Sequence, residues 1–389
     1  MRIGVVGVGR AGNALTDALL ADEDARGVEY VAEAVAIDTD AGDLNSLDRV
    51  DEQRRHLLGA VHTDGEGTAG DAKLAAEIVR EERPELQAAV DAIPVGSVDA
   101  TVVIAALGGG TGAGVAPAVV DLLTQLTGTP VYTVGILPGV AEVGGDGGAT
   151  GVSDGPKRTD DAVAGDHADR PLSSNAAGAV RALSAASDDL LLADLDVWRA
   201  SGAPYTPAWD RLDTDLTTRL GSLFAAGETD APTPERILDA SELHNTLGAG
   251  GVSAVGSASN AVENGRREGL VGGLLDRVTG ADGPAVDEGE AVSVATNTTR
   301  KALTHRLSLP CDLTSASRAA VVFHAPPAWL SRRGLERARS LVEEETGVPE
   351  IRWGDYPDPT AEEFRVTVLV TGVDRADRLA ALRPDEFDA

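Results

Sequence analysis

Seven consecutive residues, Gly108-Gly109-Gly110-Thr111-Gly112-Ala113-Gly114, constrain the fold of this chain more than any other segment. An apolar run typical of a β-strand (100–107) precedes them, and an apolar run typical of a helix (115–123) follows them. Because glycine has no Cβ, successive N–H groups can converge on one anion, and the helix start adds partial positive charge. The segment therefore predicts a phosphate-binding loop with the Thr111 hydroxyl as a further donor. Since 45 of the 389 residues are glycine, an ordinary surface turn is the alternative.

Apolar strand-like runs alternate with helical patterns, which indicates an α/β fold with a parallel sheet. Strands are predicted at 2–6, 32–37, 100–107, 131–136 and 189–193, and helices at 11–23, 70–82, 113–126 and 174–187. A longer helix is predicted from Trp209 to about Ala226, with one apolar face formed by Leu212, Leu216, Leu220, Leu223 and Phe224. A second α+β unit follows, with strands near 251–257, 318–323, 349–353 and 364–371 and helices near 259–276, 290–304 and 327–346. The Gly/Asp-rich stretch 139–171 has no hydrophobic period and is predicted to be a mobile loop or insertion.

The charge balance is strongly acidic, with 63 Asp and Glu residues against 33 Lys and Arg residues and a formal net charge of -30. This composition is typical of proteins that stay soluble in concentrated salt, so we expect a cytoplasmic protein of a halophile. A surface built for a basic partner is the alternative. Nucleic acid is not an expected partner, because phosphate contacts need clustered Lys and Arg. No apolar run approaches the length of about 18 residues typical of a membrane span, so no direct membrane anchor is expected.

A second glycine motif, Gly7-Val8-Gly9-Arg10-Ala11-Gly12, lies at the end of the first predicted strand. Its spacing fits a dinucleotide fingerprint, and Asp38 closes the next strand as a ribose-binding carboxylate would. Taken alone, the motif favours an NAD-dependent dehydrogenase, which remains an alternative. A nicotinamide enzyme needs no second glycine loop after Leu107, however, so two phosphate loops favour a nucleoside triphosphate.

With both loops placed, the chain resembles the tubulin/FtsZ superfamily, whose GGTG(S/A)G signature the segment 108–114 matches in full. Within that superfamily it is most similar to the CetZ family, the archaeal tubulin-like group. The similarity continues through Asp38-Thr39-Asp40 and through 190–198, 223–228, 238–243, 309–312, 321–323 and 354–357. The resemblance implies a Rossmann-like GTPase domain with a parallel sheet, joined by a long central helix to a smaller α+β domain. The implied bounds are 1–207 for the GTPase domain, 208–230 for the central helix, 231–373 for the activation domain and 374–389 for an acidic tail.

The resemblance also implies a site for GTP or GDP, with Mg²⁺ accompanying the nucleotide. The first phosphate loop would comprise Gly9, Arg10, Ala11, Gly12, Asn13 and Ala14, and the signature loop Gly108, Gly109, Gly110, Thr111 and Gly112. Asp38, Thr39 and Asp40 would flank the phosphates and ribose together with the turn 67–71, and Glu142 would contact the ribose if the insertion begins behind it. Asp213 on the central helix would read guanine, because a carboxylate can accept from both N1–H and the 2-amino group. No dedicated metal ligands are predicted.

In this superfamily the nucleotide of one subunit is hydrolysed by acidic residues that the next subunit inserts. The resemblance places Asp239 and Glu242 in that role as general bases, while capping of a helix start is the alternative for two acids at this spacing. Two positions depart from the family pattern. Leu195 stands where a guanine-contacting Asn is usual, and Gly178 stands where a basic residue is expected.

The function implied by the resemblance is that of a filament-forming GTPase, activated by head-to-tail polymerisation and involved in cell shape control. Other copies of the chain and related tubulin-like proteins are the expected partners. A hydrolysis-deficient regulator of a related filament is the alternative.

Overall fold

The computed structural model describes residues 1–126, 128–143, 172–228, 234–263 and 286–382. Ten strands in these residues form one continuous sheet in the order β3-β2-β1-β4-β5-β6-β7-β10-β8-β9. In chain order the strands are β1 Ile3–Val8, β2 Val31–Asp38, β3 Arg55–Leu57, β4 Ala100–Ala106, β5 Val131–Leu137, β6 Asp189–Asp194, β7 Val252–Ala261, β8 Arg318–Ala325, β9 Ile351–Pro357 and β10 Glu363–Val373.

The helices cover both faces of this sheet. They are α1 Gly9–Arg26, α2 Ala41–Asn45, α3 Ala60–Thr63, α4 Ala72–Glu81, α5 Arg83–Val90, α6 Gly110–Leu126, α7 Val140–Val143, α8 Leu172–Ala186, α9 Thr206–Phe224, α10 Ala240–Leu247, α11 Glu288–His305, α12 Arg332–Thr346 and α13 Asp377–Leu382.

The strands from β3 to β7 run parallel, as the alternating pattern predicted, while β10 runs antiparallel to both β7 and β8. All residues of β1, β5 and β6 are buried, as expected for strands covered by helices on both faces. Because parallel strands end at the same edge, the loops after β1, β2, β4, β5 and β6 all lie at the carboxyl edge of the sheet. That edge positions the candidate site.

The central helix α9 buries the predicted stripe of Leu212, Leu216, Leu220, Leu223 and Phe224. These side chains pack into the cluster that also contains the inward-facing residues of β1, β4 and β5. Arg219, on the same helix, is 1% exposed. Its guanidinium donates to the carbonyl oxygens of Val255 and Arg306 at 2.8 and 2.7 Å, which ties α9 to β7 and to the residue after α11. The helix therefore links the two halves of the chain.

Several sequence predictions need correction. The strands of the second α+β unit lie at the positions predicted, and they continue the sheet of the first unit, because β7 pairs with β6 through Leu190–Val252 and Leu191–Ser253. The helix predicted at 259–276 is wrong at its start, since β7 continues to Ala261, where it pairs with Glu363; residues 264–276 lie outside the described residues.

The stretch predicted as a loop at 139–171 begins with the short helix α7, and residues 144–171 lie outside the described residues. The segment expected to be an acidic tail contains α13, whose Leu379 and Leu382 are buried. These two apolar side chains hold the helix against the body of the protein, which composition alone does not reveal. Residues 383–389 lie outside the described residues.

Candidate functional site

The two glycine loops meet at the carboxyl edge of the sheet. Gly9 has φ = +73°, a conformation that favours glycine, and a Cβ on it would lie 3.2 Å from the backbone N of Gly112. A Cβ on Gly12 would lie 2.1 Å from the carbonyl oxygen of Ile104, so only glycine lets α1 pack this closely against β4. The glycines predicted to bind phosphate thus also bring the starts of α1 and α6 together. This contact explains why both helices begin earlier than their apolar pattern indicated.

The end of β2 adds hydroxyl and carboxyl groups to this edge. The Thr39 and Thr111 hydroxyls lie 2.7 Å apart and share a hydrogen bond, so the segment after β2 and the signature loop are directly connected. Asp38 is 2% exposed and accepts hydrogen bonds from Asn13 Nδ2 at 3.1 Å and from the Thr39 N–H at 2.8 Å. Burial, and then the nearby Asp43 carboxylate, raise the pKa of Asp38 to about 7. Asp38 therefore fixes the loop from within and does not face a ribose, as a dinucleotide site would require.

The remaining polar residues of this segment act on local structure. Arg10 pairs with Asp43 at 2.8 Å, and Asp40 caps α2 by accepting from the N–H groups of Gly42 and Asp43. Ala11 and Ala14, in the first turns of α1, are half-buried. These residues lie beside the glycine loops.

A third loop, residues 67–71, closes one side of the edge. A Cβ on Gly110 would lie 2.2 Å from Thr68 Oγ1, so the signature loop and this turn touch. Asn175 Nδ2 donates to the carbonyl oxygens of Gly70 and Gly108 at 2.9 and 3.0 Å and holds the two loops in place. Thr68 lies in the turn 67–71 that the resemblance implied, whereas sequence reasoning missed Asn175, because it is distant in sequence from the loops that it joins.

The geometry of this edge fits a ligand that combines an anionic group with a base carrying N–H donors. A Cβ on Gly109, at the tip of the signature loop, would meet no atom within 4 Å, so there is room above the converging backbone. The buried Asn13 Oδ1 has no hydrogen-bond partner in the described part of the chain. Within those described ranges, no group of three or more His, Cys, Asp or Glu side chains could hold a metal ion.

The start of α9 reaches the same edge. The Tyr205 ring packs against Gly139, where a Cβ would lie 2.0 Å from the ring, and the Tyr205 hydroxyl donates to Asp196 at 2.7 Å. Two turns further along α9, Asp213 Oδ1 is buried and has no partner among the described residues. Burial, and then the neighbouring Asp210, raise the pKa of Asp213 to about 7. A buried acceptor without a donor is what a guanine edge would satisfy.

Two predicted contacts do not present side chains to this space. Leu195 is fully buried in the apolar cluster beneath the loop after β6. Glu142 Oε2 accepts from the Gly139 N–H at 2.9 Å, so its carboxylate bonds to its own loop. Beside them, Arg378 of α13 lies 3.3 Å from Asp194 Oδ2 and donates to the Pro138 carbonyl oxygen. Sequence reasoning missed this basic residue because it lies in a segment assigned as a tail.

Asp239 and Glu242 lie at the opposite edge of the sheet. The amino group of Met1 donates to the Phe224 carbonyl oxygen at 2.8 Å, so the end of α9 lies at the amino end of β1. A Cβ on Gly227 would lie 3.2 Å from the Leu238 carbonyl oxygen, which places the start of α10 at this end too. The six residues of β1 span about 20 Å at roughly 3.3 Å per residue. Within one chain, the acid pair therefore cannot reach the glycine loops.

The local geometry shows the capping pattern that was the alternative for this pair. Asp239 Oδ1 accepts from the Glu242 N–H at 2.8 Å and so caps α10. Glu242 Oε1 accepts from Arg236 at 3.2 Å, while its Oε2 is buried without a partner among the described residues. Capping occupies only one oxygen of Asp239, and the Glu242 side chain is 28% exposed.

Comparison with known proteins decides the family. Residues 2–145 match the model of the tubulin/FtsZ family GTPase domain, and residues 202–386 match that of the C-terminal domain of tubulin-like CetZ. Over its full length the chain is 37% identical to the tubulin-like protein CetZ1 of Haloferax volcanii, of which it covers 92%. The chain belongs to the CetZ family. It therefore carries a tubulin/FtsZ GTPase domain.

Solved CetZ structures share this fold. The GDP-bound CetZ1 monomer of Haloferax volcanii superimposes with a TM-score of 0.78 at 32% identity, over 99% of this chain and 98% of that one. CetZ2 of the same organism, in a GTPγS-bound protofilament, gives a TM-score of 0.78 at 29% identity, over 99% and 97% of the two chains. Among the described residues of this CetZ protein, no helix is both long and apolar enough to cross a bilayer.

Proposed function

We propose that this CetZ protein binds GTP at the carboxyl edge of its sheet and assembles head to tail in the cytoplasm. We further propose that GTP is hydrolysed where two subunits meet and that the filaments take part in cell shape control. The observation that carries this proposal is the separation of two sets of groups. The glycine loops lie at one edge, whereas Asp239 and Glu242 lie at the other.

Phosphate recognition rests on backbone geometry. Gly109 leaves open space in front of the start of α6, where N–H groups and the helix dipole favour an anion. The linked hydroxyls of Thr39 and Thr111 are the protein oxygens beside that space. They are suited to hold phosphate or a phosphate-bound Mg²⁺, which would offset the charge of the triphosphate.

Base recognition rests on Asp213. The unpaired Oδ1 would accept N–H groups that guanine offers and adenine lacks, so the side chain favours GTP over ATP. The buried Leu195 offers no second contact. Selectivity for guanine would therefore depend on Asp213 more strongly in this protein than in relatives that have a guanine-contacting Asn at the position of Leu195.

Hydrolysis would need a second subunit. A head-to-tail contact brings the amino edge of one chain onto the carboxyl edge of the next, and Glu242, whose side chain is 28% exposed, would then orient the attacking water. Asp239 supports this residue by capping the helix that carries it. The GTPγS-bound protofilament of CetZ2 supports this arrangement, since a CetZ protein assembles with nucleotide present.

The test is GTP turnover measured against protein concentration in concentrated potassium chloride, with light scattering recorded in parallel. Specific activity should rise with concentration together with scattering. The double variant Asp239→Ala/Glu242→Ala should bind GTP and lose turnover, while Glu235→Ala, an exposed acid on the same segment, should keep it. Turnover that is constant per molecule at all concentrations would refute the shared site. Binding without turnover in the unaltered protein would instead support a regulator of a related filament.

A further inference from the structure

A pocket lies on the C-terminal half, between the end of β7 and the exposed face of α11. Its volume is about 470 Å³, which falls within the range of roughly 300–1,000 Å³ typical of small-molecule sites. Six polar residues line it: Asn260, Asn297, Arg300, Lys301, Thr304 and His305. The α11 residues of this set recur at helical spacing, so one face of the helix supplies most of the polar wall.

The charge of this pocket is opposite to that of the chain. Among the residues that the structure describes, no carboxylate lines it, although the chain has 63 Asp and Glu residues and a formal net charge of -30. Arg300 and Lys301 supply two permanent cations, and the amides of Asn260 and Asn297 each keep one N–H that is not used among the described residues. In a chain this acidic, a basic concave surface is an unexpected feature that overall composition does not explain.

Lys301 is held in place without being neutralised. Its Nζ donates to Asn260 Oδ1 at 2.8 Å, and Asn260 Nδ2 in turn donates to the Thr298 hydroxyl. Thr298 is fully buried and donates to the Val294 carbonyl oxygen at 2.7 Å. Because the acceptor of Lys301 is an amide, the ammonium keeps its full charge while a hydrogen-bonded chain fixes its position.

The positive charge of Arg300 is likewise available to an anion. Arg300 lowers the pKa of Glu344 on α12, but a hydrogen bond from Arg337 lowers that pKa more than Arg300 does. Arg337 holds both Glu344 oxygens, at 2.7 and 3.4 Å. Across the described ranges, neither Arg300 nor Lys301 has a carboxylate within ion-pair distance.

We propose that this pocket binds a small multivalent anion that carries phosphate or carboxylate groups. The planar Arg300 guanidinium can bind two oxygens of such a group at once, and the fixed Lys301 ammonium supplies a second positive centre. Asn297 on the same helix face adds one donor, because its NH₂ group has two hydrogens and gives only one of them to the Ser293 hydroxyl. This site is separate from the glycine loops and does not depend on the nucleotide function proposed above.

The test is isothermal titration calorimetry with citrate and, separately, inorganic pyrophosphate, on protein saturated with GDP to fill the glycine loops. Binding of citrate alone identifies carboxylate as the preferred group, and binding of pyrophosphate alone identifies phosphate; either result supports the site. Because charge-assisted contacts are screened by salt, affinity should fall as potassium chloride is raised.

Variants locate the binding to this pocket. Arg300→Gln/Lys301→Gln should weaken binding by about tenfold or more, and Asn297→Asp, which adds a carboxylate, should weaken it independently. Arg332→Gln/Arg333→Gln, an equally exposed basic pair on α12, is the matched control and should leave affinity unchanged. Absence of binding by both probes would overturn the proposal. An equal loss of affinity in the control and pocket variants would also overturn it.

Discussion

The Asp213→Asn substitution tests base recognition with the smallest change in shape. In the unaltered protein, Oδ1 has no partner among the described residues, so a guanine N–H that reaches it would displace no hydrogen bond seen there. Hydrogen bonds to a charged acceptor contribute roughly 1.5–3 kcal/mol. Asparagine keeps one acceptor oxygen but replaces the other with an NH₂ group that cannot accept. We therefore expect GTP affinity to fall by roughly 30- to 150-fold, equivalent to about 2–3 kcal/mol.

The assay is competitive displacement of a fluorescent guanine nucleotide by GTP, by ITP, which lacks the 2-amino group, and by ATP. The unaltered protein should prefer GTP to ITP, and Asp213→Asn should reduce that preference, since the contact to the 2-amino group is weakened. ATP affinity should change little. An equal loss for GTP and ITP, or no loss, would refute the assignment of Asp213 as the residue that reads guanine.

The same substitution has a pH signature. Burial raises the pKa of Asp213 to about 7, and a guanine N–H favours the ionised carboxylate. GTP affinity should therefore fall as pH drops below about 7, and Asp213→Asn should lose this part of the pH dependence. Because the phosphates and Asp38 titrate in the same range, the comparison between the two proteins is the informative quantity.

Three further predictions concern packing and charge. Gly109→Leu should leave the melting temperature nearly unchanged and abolish nucleotide binding, because its side chain would enter the open space in front of the loop. Gly110→Leu should lower both stability and binding, because its Cβ would lie 2.2 Å from Thr68 Oγ1. Unchanged GTP affinity in both variants would exclude a phosphate-binding loop here. Arg219→Leu should destabilise by roughly 3–5 kcal/mol in denaturant unfolding. The Arg306 carbonyl oxygen loses its Arg219 donor, and the Val255 carbonyl oxygen and Asp215 each lose one of two donors. A loss no larger than that of the exposed Arg211→Leu would contradict the link. Burial raises the pKa of Asp189 from 3.8 to about 8, so its stabilising contribution is complete below about pH 4 and is lost as pH rises through 8. Asp189→Asn should therefore reduce the loss of unfolding free energy between pH 5 and pH 9 by roughly 2–4 kcal/mol. Identical pH profiles of the two proteins would refute the pKa shift.

The sequence predicted most strands and the central helix because their signals are local. The leucine stripe of α9 and the apolar runs of β1, β4, β5 and β6 each reveal burial through periodicity alone. The three-residue strand β3 was missed because Arg55, His56 and Leu57 show no strand pattern. The starts of α1 and α6 were placed too late because glycine disfavours helices, and here close contacts between helix and sheet override that preference.

The sequence predicted those parts of the candidate site that the glycine loops and the family resemblance indicate. Contacts between distant segments were not, such as Asn175 joining Gly70 to Gly108, or Arg378 pairing with Asp194. The separation of the acid pair from the glycine loops likewise depends on sheet topology, which the resemblance supplied and which periodicity does not contain. The single sheet running through both halves of the chain also rests on one short pairing, between β6 and β7.

The central claim is that each hydrolytic site is shared between two subunits, and a mixing experiment tests it directly. Gly109→Leu keeps the acid pair and should lack nucleotide, while Asp239→Ala/Glu242→Ala keeps nucleotide and lacks the acids. Each variant alone should be inactive. An equimolar mixture should recover about a quarter of the unaltered turnover, because about one contact in four in a head-to-tail filament joins intact acids to bound GTP. A mixture that stays inactive although the two variants sediment together would contradict the claim.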